Sequence, residues 1–354
     1  MTWTCGAIDH GVVFHSNGTI APCCLIDYSY RKPVELLTQD PFQDLRTGTP
    51  AAVCHRCVED EANNLPSYRQ SFTPNSGAGI QFLDIRNTNL CNIKCRSCDP
   101  DNSNQIAQER QLVKTLIKQD IMPFKDYLFT SDLQRMYYTG GEPLINHEHW
   151  EILQMLVDKG LSHNIQLQYN SNLTVLKYKT LDIFDLWKNF KSVTFAASID
   201  AVGDKAEIIR SGTNWNTVKE NLQRLKTFSQ SYRAFALEIH CTVSLMNIWY
   251  VAELLEYFKE EKVRLFPLTY PDYLCLSALP EDLKELAEQC LTDIENLGYN
   301  KNSCQLIRNK LEQDQTQLFP VTLLQITYLD KLRNENLLDI LPGNFKKHIW
   351  KTIS

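Results

Sequence analysis

Residues 80–98 read IQFLDIRNTNLCNIKCRSC, an apolar run followed by a polar bridge and three cysteines, Cys91, Cys95 and Cys98. The run at 80–85 (IQFLDI) is short, apolar and bounded by polar residues, which predicts a strand. The cysteines then follow in a tight loop at the strand's end. Outward from this segment, apolar runs alternate with helical patterns. A helix is predicted over 106–118, then a short strand at 136–138 that ends in Gly140-Gly141-Glu142-Pro143, then a helix over 150–159. Further strands are predicted at 165–169, 192–199, 235–243 and 263–268, separated by helices near 181–190, 215–228 and 250–261. Strands that alternate with helices make parallel β/α units. Right-handed crossovers wrap six of them into an open, partial (β/α)6 barrel of the α/β class. Chemistry in such barrels sits at the C-terminal ends of the strands, where the polar and glycine motifs of this chain fall.

The first 75 residues read differently. Residues 11–14 and 19–21 flank Ser16-Asn17-Gly18, a hairpin turn, and Asn75-Ser76-Gly77-Ala78-Gly79 reads as a linker. From Pro280 a helical pattern (EDLKELAEQCLTDIENLG) leads into a polar tail with further helices. The expected organisation is a cysteine-rich module over 1–75, a barrel over 76–278 and a helical extension over 279–354. There is no internal repeat and no low-complexity stretch.

Hydrophobic residues make up 43% of the chain and charged residues 22%, a globular balance without a membrane-length apolar run. Met1-Thr2-Trp3-Thr4-Cys5 has neither a charged nor an apolar signal region, so the expected location is the cytoplasm and no membrane partner is expected. The net charge of −6, from 36 basic and 42 acidic residues, counts against a nucleic-acid partner. Twelve cysteines are many for a reducing compartment, and their spacing is read for metal binding before disulfides.

Three thiolates can hold three irons of a cubane cluster and leave the fourth iron open, as a catalytic centre requires. From spacing alone, a zinc site borrowing a fourth ligand such as His147, or a set of unliganded buried cysteines, stays open. The CxxxCxxC spacing of Cys91, Cys95 and Cys98 resembles the signature of the radical S-adenosylmethionine (SAM) superfamily, and the resemblance runs over roughly 80–270. Gly140-Gly141-Glu142-Pro143 matches that family's GGEP segment, which implies a close backbone approach to SAM and an anionic partner, Glu142, for its ammonium. Ser171-Asn172-Leu173-Thr174 is similar to the ribose-contacting segment, with Leu173 in place of a glycine. Ser198-Ile199-Asp200 is similar to the S-x-D motif, with Ser198 and Asp200 as its contacts. Arg210 stands where the family often places an arginine near the SAM carboxylate. Ser97 departs from the aromatic residue many members carry. The resemblance implies a [4Fe–4S] cluster and SAM as cofactors, reductive SAM cleavage to a 5′-deoxyadenosyl radical, and a reducing partner such as flavodoxin or ferredoxin.

Cys5, Cys23, Cys54 and Cys57 form a second set, closed by the C-x-x-C pair Cys54-His55-Arg56-Cys57. Four thiolates suit tetrahedral zinc or a fully ligated [4Fe–4S] cluster. The arrangement resembles a twitch module, the half-length form of the SPASM domain, placed before the barrel rather than after it. That resemblance implies an auxiliary [4Fe–4S] cluster that transfers electrons. Cys24 is the alternative to Cys23. Of the remaining cysteines, Cys241 and Cys290 read as small buried residues. Cys275, after the sixth strand, is the candidate catalytic thiol for returning a hydrogen atom, against a packed thiol as the plain alternative. His147 and His149 read as helix-cap or surface residues.

The functional expectation is hydrogen abstraction from a peptide or small natural-product substrate. An RNA- or protein-modifying enzyme of the same kind, and a non-catalytic iron–sulfur or zinc protein, are the alternatives.

Overall fold

The computed structural model describes residues 3–62, 66–74 and 76–353, the last five as backbone only; Asn75 of the expected linker lies outside them. Alternation sets the sheet. Strands Gly11–His15 (β1), Thr19–Ala21 (β2), Lys32–Pro33 (β3), Phe82–Arg86 (β4), Arg135–Tyr138 (β5), Gln166–Ser171 (β6), Ser192–Ser198 (β7), Phe235–Val243 (β8) and Lys262–Pro267 (β9) form one nine-stranded sheet. Its order is β9-β8-β7-β6-β5-β4-β1-β2-β3. All pairs from β9 to β1 are parallel, and β2 and β3 add antiparallel at the edge. β6 shows the logic: Leu167, Tyr169 and Ser171 are buried while Gln166, Gln168 and Asn170 are half-buried. One face packs on the helices and the other faces the barrel interior.

The six predicted barrel strands are present as β4 to β9. The hairpin at the front is present too, but it does not form a sheet of its own. β1 pairs in parallel with β4 from Gly11↔Phe82 to His15↔Arg86, so the front segment continues the barrel sheet. One contiguous apolar core runs from Ile8 through the barrel to Phe345. The helix Trp215–Ser231, capped by the Asn214 side chain accepting from the Thr217 amide at 2.9 Å, starts where predicted and runs three residues past the predicted end at 228, while Glu281–Asn296 lies within its predicted span.

The helix predicted over 106–118 is corrected. The helix is Asn104–Glu109, Gln111 takes a φ of 55°, and the chain continues as a strap beside residues 87–89. Asn89, fully buried, donates to the Thr115 carbonyl and accepts from the Ile117 amide, at 2.9 and 2.8 Å, and Thr88 bridges Lys118. A buried amide that satisfies two backbone groups outcompetes the weak helical spacing of Leu112, Val113 and Leu116, which face solvent. Among the described residues no helix is long and apolar enough to cross a membrane.

Candidate active site

The cysteine loop leaves the C-terminal end of β4 and is fastened on three sides. Cys91 donates its amide to the Asn104 side chain at 2.8 Å. The glycine segment after β5 closes on the residues just before Cys91: Gly141 N–H donates to Thr88 O at 3.2 Å and Glu142 N–H to Leu90 O at 2.7 Å. A Cβ on Gly141 would stand 2.1 Å from Leu90 O, so only glycine permits this approach. On the far side, Lys94-Cys95 pairs antiparallel with Arg210-Ser211, which sets Arg210 against the thiol loop.

Glu142 is buried and ties the second strand end to the third. Its carboxylate accepts from Ser171 Oγ at 2.9 Å, from the Asn172 amide at 2.7 Å and from the Leu144 amide at 3.1 Å. Burial pushes its carboxyl up to about 7 against those bonds. Asn172 then reaches the cysteine loop, donating to Asn92 Oδ1 at 2.9 Å. Leu173, buried, takes a φ of 58°, so the loop keeps a glycine-like conformation with a leucine in it. Asp200, also buried, accepts from the Thr242 amide at 2.8 Å and pairs with Arg210 at 2.9 Å. Arg210 Nε is buried without a hydrogen-bond partner among the described residues. Pro143 and Ser198 take the strand-end positions expected of them.

Burial raises all three thiols, Cys91 to about 12, and neighbouring thiols raise Cys91 and Cys98 further. Three half-buried sulfurs without a carboxylate or imidazole among them have the donor chemistry that suits a thiophilic iron centre with one open metal position. The unpartnered Arg210 Nε beside them fits an anionic group of a cofactor. The residues present therefore fit a cluster and SAM. Among the described residues no group of three or more His, Cys, Asp or Glu side chains gathers around one metal-ion position.

The C-terminal extension reaches the same loop. Arg96, between Cys95 and Cys98, is buried, and its Nη2 donates to Asp330 at 2.5 Å and Glu335 at 2.6 Å while Nε donates to Ile208 O at 2.9 Å. Glu335 also accepts from Ser211 Oγ. Arg333 donates to Lys94 O at 2.9 Å and holds Glu109 through two bonds of 2.9 and 2.6 Å. Sequence reading missed these partners because no local motif marks them.

At the front, Cys5, Cys23, Cys54 and Cys57 line one cleft with Trp3, Arg56 and Arg69. Burial raises Cys5, Cys54 and Cys23, the last to about 12, with Cys57 adding to each. Cys24 is not part of that lining; it borders a cavity inside the barrel with Asp84, Arg135, Tyr137 and Gln168, a cavity that Cys23 borders as well. Cys275 is fully buried, its thiol directed at Leu268 O and Pro271 O at 3.1 and 3.5 Å, the packed-thiol alternative rather than a rim position. Cys241 is buried as expected. His149, expected as a cap or surface residue, is a core residue instead: it is buried, bonds Tyr169 OH at 2.9 Å, and is pushed down to about 3 by desolvation. His147 is exposed and pairs with Glu151 at 3.2 Å.

Residues 85–235 match the family model described as Radical SAM superfamily. An uncharacterized protein of Methanocaldococcus jannaschii is 33% identical over 113 residues, 30% of this chain and 37% of that protein. Among solved structures, native anSMEcpe with bound AdoMet superposes with a TM-score of 0.42 and 16% identity, over 61% of this chain and 62% of that one. SuiB of Streptococcus suis bound to S-adenosylmethionine gives 0.36 and 14%, over 73% and 54%. The chain thus spans less than two thirds of the length of each of these proteins.

Proposed function

We propose that this chain, which carries a radical SAM superfamily domain over residues 85–235, is an enzyme that binds a [4Fe–4S] cluster at Cys91, Cys95 and Cys98 and cleaves SAM there to begin hydrogen abstraction. The observation that carries the reading is the fastening of one loop of three half-buried thiols to Gly141 and Glu142 on one side and to Arg210 on the other. Bound there, the cluster supplies the electron that splits SAM into methionine and a 5′-deoxyadenosyl radical.

The chain's own residues do the rest. Glu142 presents a carboxylate at the ammonium end of the cofactor, and Gly140 and Gly141 let the backbone come close. Arg210, held by Asp200 and left with a free Nε, receives the cofactor carboxylate. Ser171 and Asn172 border the ribose, and Ser198 completes the strand-end row. The interior-facing residues Asp84, Tyr137 and Gln168 bound a polar pocket for substrate and keep bulk water from the radical. The substrate class is a peptide or small natural product. Cys5, Cys23, Cys54 and Cys57 hold an auxiliary [4Fe–4S] cluster that transfers electrons, a reading supported by their shared cleft. The expected module boundaries, 1–75, 76–278 and 279–354, mark three roles built on one sheet and one core.

Anaerobic reconstitution with iron and sulfide, followed by dithionite and SAM, tests the proposal. Slow 5′-deoxyadenosine formation is expected even without substrate, and its complete absence sinks the enzyme reading. The Cys91→Ala, Cys95→Ala, Cys98→Ala triple variant should retain about four irons per chain. Zinc alone at the front site removes the electron-transfer role.

A further inference from the structure

The pairing of β1 with β4 brings polar side chains together at the C-terminal ends of these two strands. In the parallel register His15 stands opposite Arg86, two residues beyond the pair Val13 and Asp84. Alternation puts all four on the inner face, so His15 and Arg86 form the layer that follows Asp84. A cavity of about 180 Å³ opens there, lined by His15, Arg31, Arg86, Asp99 and Asp101 among others. That is ample for an ionised group, since one water needs only about 10–15 Å³ of such space. Asp99 follows Cys98 directly, so the end of the cysteine loop is part of the wall. His15 and Arg31 come from the front segment, which reaches this place only because β1 joins the barrel sheet.

Two cations share this cavity and only one of them is paired. Arg86 spends Nε and Nη2 on Asp84, at 2.9 and 2.8 Å, and its Nη1 has no partner among the described residues. Arg31 makes no ion pair among the described residues, and its Nε is buried without a hydrogen-bond partner. Its guanidinium lies 4.5 Å from the centre of the exposed Tyr28 ring. Desolvation pushes Arg31 below its ordinary value, and Arg86 adds repulsion. His15 is pushed down to about 3, first by desolvation and then by Arg31 and Arg86. It is therefore a neutral imidazole with one N–H to donate beside two guanidiniums. The two acids of the wall do not neutralise them. Asp99 accepts three bonds from Asn102 at 3.0 to 3.1 Å, and Asp101 is exposed, with the weakest pull on Arg31 of the groups around it. An unpaired cation held out of water is costly, and carboxylate or phosphate oxygens brought to it make charge-assisted bonds. Under the functional reading above, on which this inference rests, the molecule that enters beside the cysteine loop is the substrate. We propose that Arg31 and Arg86, with His15 beside them, form the subsite that holds an anionic oxygen group of the substrate, a carboxylate or a phosphate. The substrate is thereby an anion, anchored against the loop that carries Cys98.

Calorimetry tests the subsite on the reconstituted, oxidised holoenzyme with SAM bound, so that Arg210 is occupied and nothing turns over. Inorganic phosphate and succinate are the probes, each titrated in chloride buffer at low salt. The parent should bind one anion per chain, and Arg31→Gln should weaken that binding at least ten-fold. Arg31→Lys, which keeps the charge without the planar fork, should fall between the two. Lys301→Gln removes an exposed cation from the helix Lys301–Glu312, beside the opposite edge of the sheet, and should bind as the parent does. Since the Arg31 head group makes no hydrogen bond among the described residues, Arg31→Gln should keep the parent's urea midpoint and iron content. Binding of phosphate, of succinate or of both that is lost in Arg31→Gln supports the subsite and tells which group the substrate carries. No binding by the parent, or equal binding by the parent and Arg31→Gln, overturns it. So does a fall in midpoint and iron content with the loss of binding, which makes Arg31 a support of the fold. Dithionite is added last: a parent that binds the anion through Arg31 yet forms no 5′-deoxyadenosine sinks the functional reading and leaves the anion site assigned.

Discussion

Removing Asp330 and Glu335 should loosen a cysteine loop more than two hundred residues away in sequence. Their common partner Arg96 has a side chain only 1% exposed, and the two carboxylates are 11% and 19% exposed. A charge-assisted bond of this kind contributes about 1.5–3 kcal/mol, so Asp330→Ala or Glu335→Ala alone should cost about that much. The double variant strips a buried guanidinium of both carboxylates and leaves it only Ile208 O, at a cost of about 3–5 kcal/mol. Because Arg96 sits between Cys95 and Cys98, the loss should appear locally as well as globally. Urea unfolding of the metal-free chain reads the first, and iron bound per chain after reconstitution, with the electron paramagnetic resonance of the reduced cluster, reads the second. Arg96→Met added to the double variant should recover part of the stability, since the buried charge is then gone. A double variant within about 1 kcal/mol of the parent, carrying full iron and an unchanged spectrum, would refute the reasoning.

Three further outcomes follow from individual geometries. Leu173 holds a left-handed backbone while fully buried, so Leu173→Ala loses the packing and keeps the strain, whereas Leu173→Gly loses the packing and relieves it. Glycine should be the more stable of the two by about 1 kcal/mol in urea unfolding, the reverse of their usual order; alanine ahead of glycine would show that the strain is absent. Cys23→Ser should lower the iron content of the front site and Cys24→Ser should not, since only Cys23 lines that cleft; the opposite result exchanges the two. Burial pushes Glu238 up, but bonds from Arg264, Lys262 and His240 prevail and bring it from 4.5 down to about 2. Its contribution to stability is therefore complete above about pH 4.5 and lost as pH falls toward 2, and Glu238→Gln should flatten that part of an acid-unfolding profile.

The strand ends were legible because two independent signals coincide there, an apolar period and a polar motif at its end. Glu142, Asp200 and Arg210 were named from sequence: Glu142 follows β5, Asp200 follows β7, and Arg210 pairs with Asp200 beside the cysteine loop. What escaped was long-range pairing. Nothing near Gly11 announces that β1 joins β4 about seventy residues later, because register is set by partners a local pattern does not contain. Arg96 is the same case, with partners 234 and 239 residues on. The strap at 110–118 misled for a different reason: its apolar spacing suggests a buried helix face, but it lies on the surface and a buried Asn89 claims its backbone groups. The choice between Cys23 and Cys24 was open in the sequence, because both lie in the bend and turn after β2, where strand alternation does not assign their sides. Only the fold says which side holds the other cysteines.

The parallel register of β1 with β4 also fixes how the two thiol sets relate. Cys91 follows the C-terminal end of β4, whereas Cys5 precedes the N-terminal end of β1 and Cys23 follows the strand that returns to that end. The two sets therefore lie beyond opposite ends of a pair of five-residue strands. The cavity that carries Cys24, Asp84, Tyr137 and Gln168 lies along those strands. Under the proposed function, an electron passing from a substrate radical to the front cysteines would cross this interior. Gln168→Trp fills that interior from β6; Cys23 borders the same cavity, so iron at the front site is measured alongside iron at the cysteine loop. The variant should leave iron at both sites and uncoupled 5′-deoxyadenosine formation unchanged, while abolishing the stimulation given by any substrate found in a deuterium-transfer screen. Full stimulation in the variant would mean that substrate binds outside the barrel interior, and the polar inward face of β5 and β6 would then have no part in recognition.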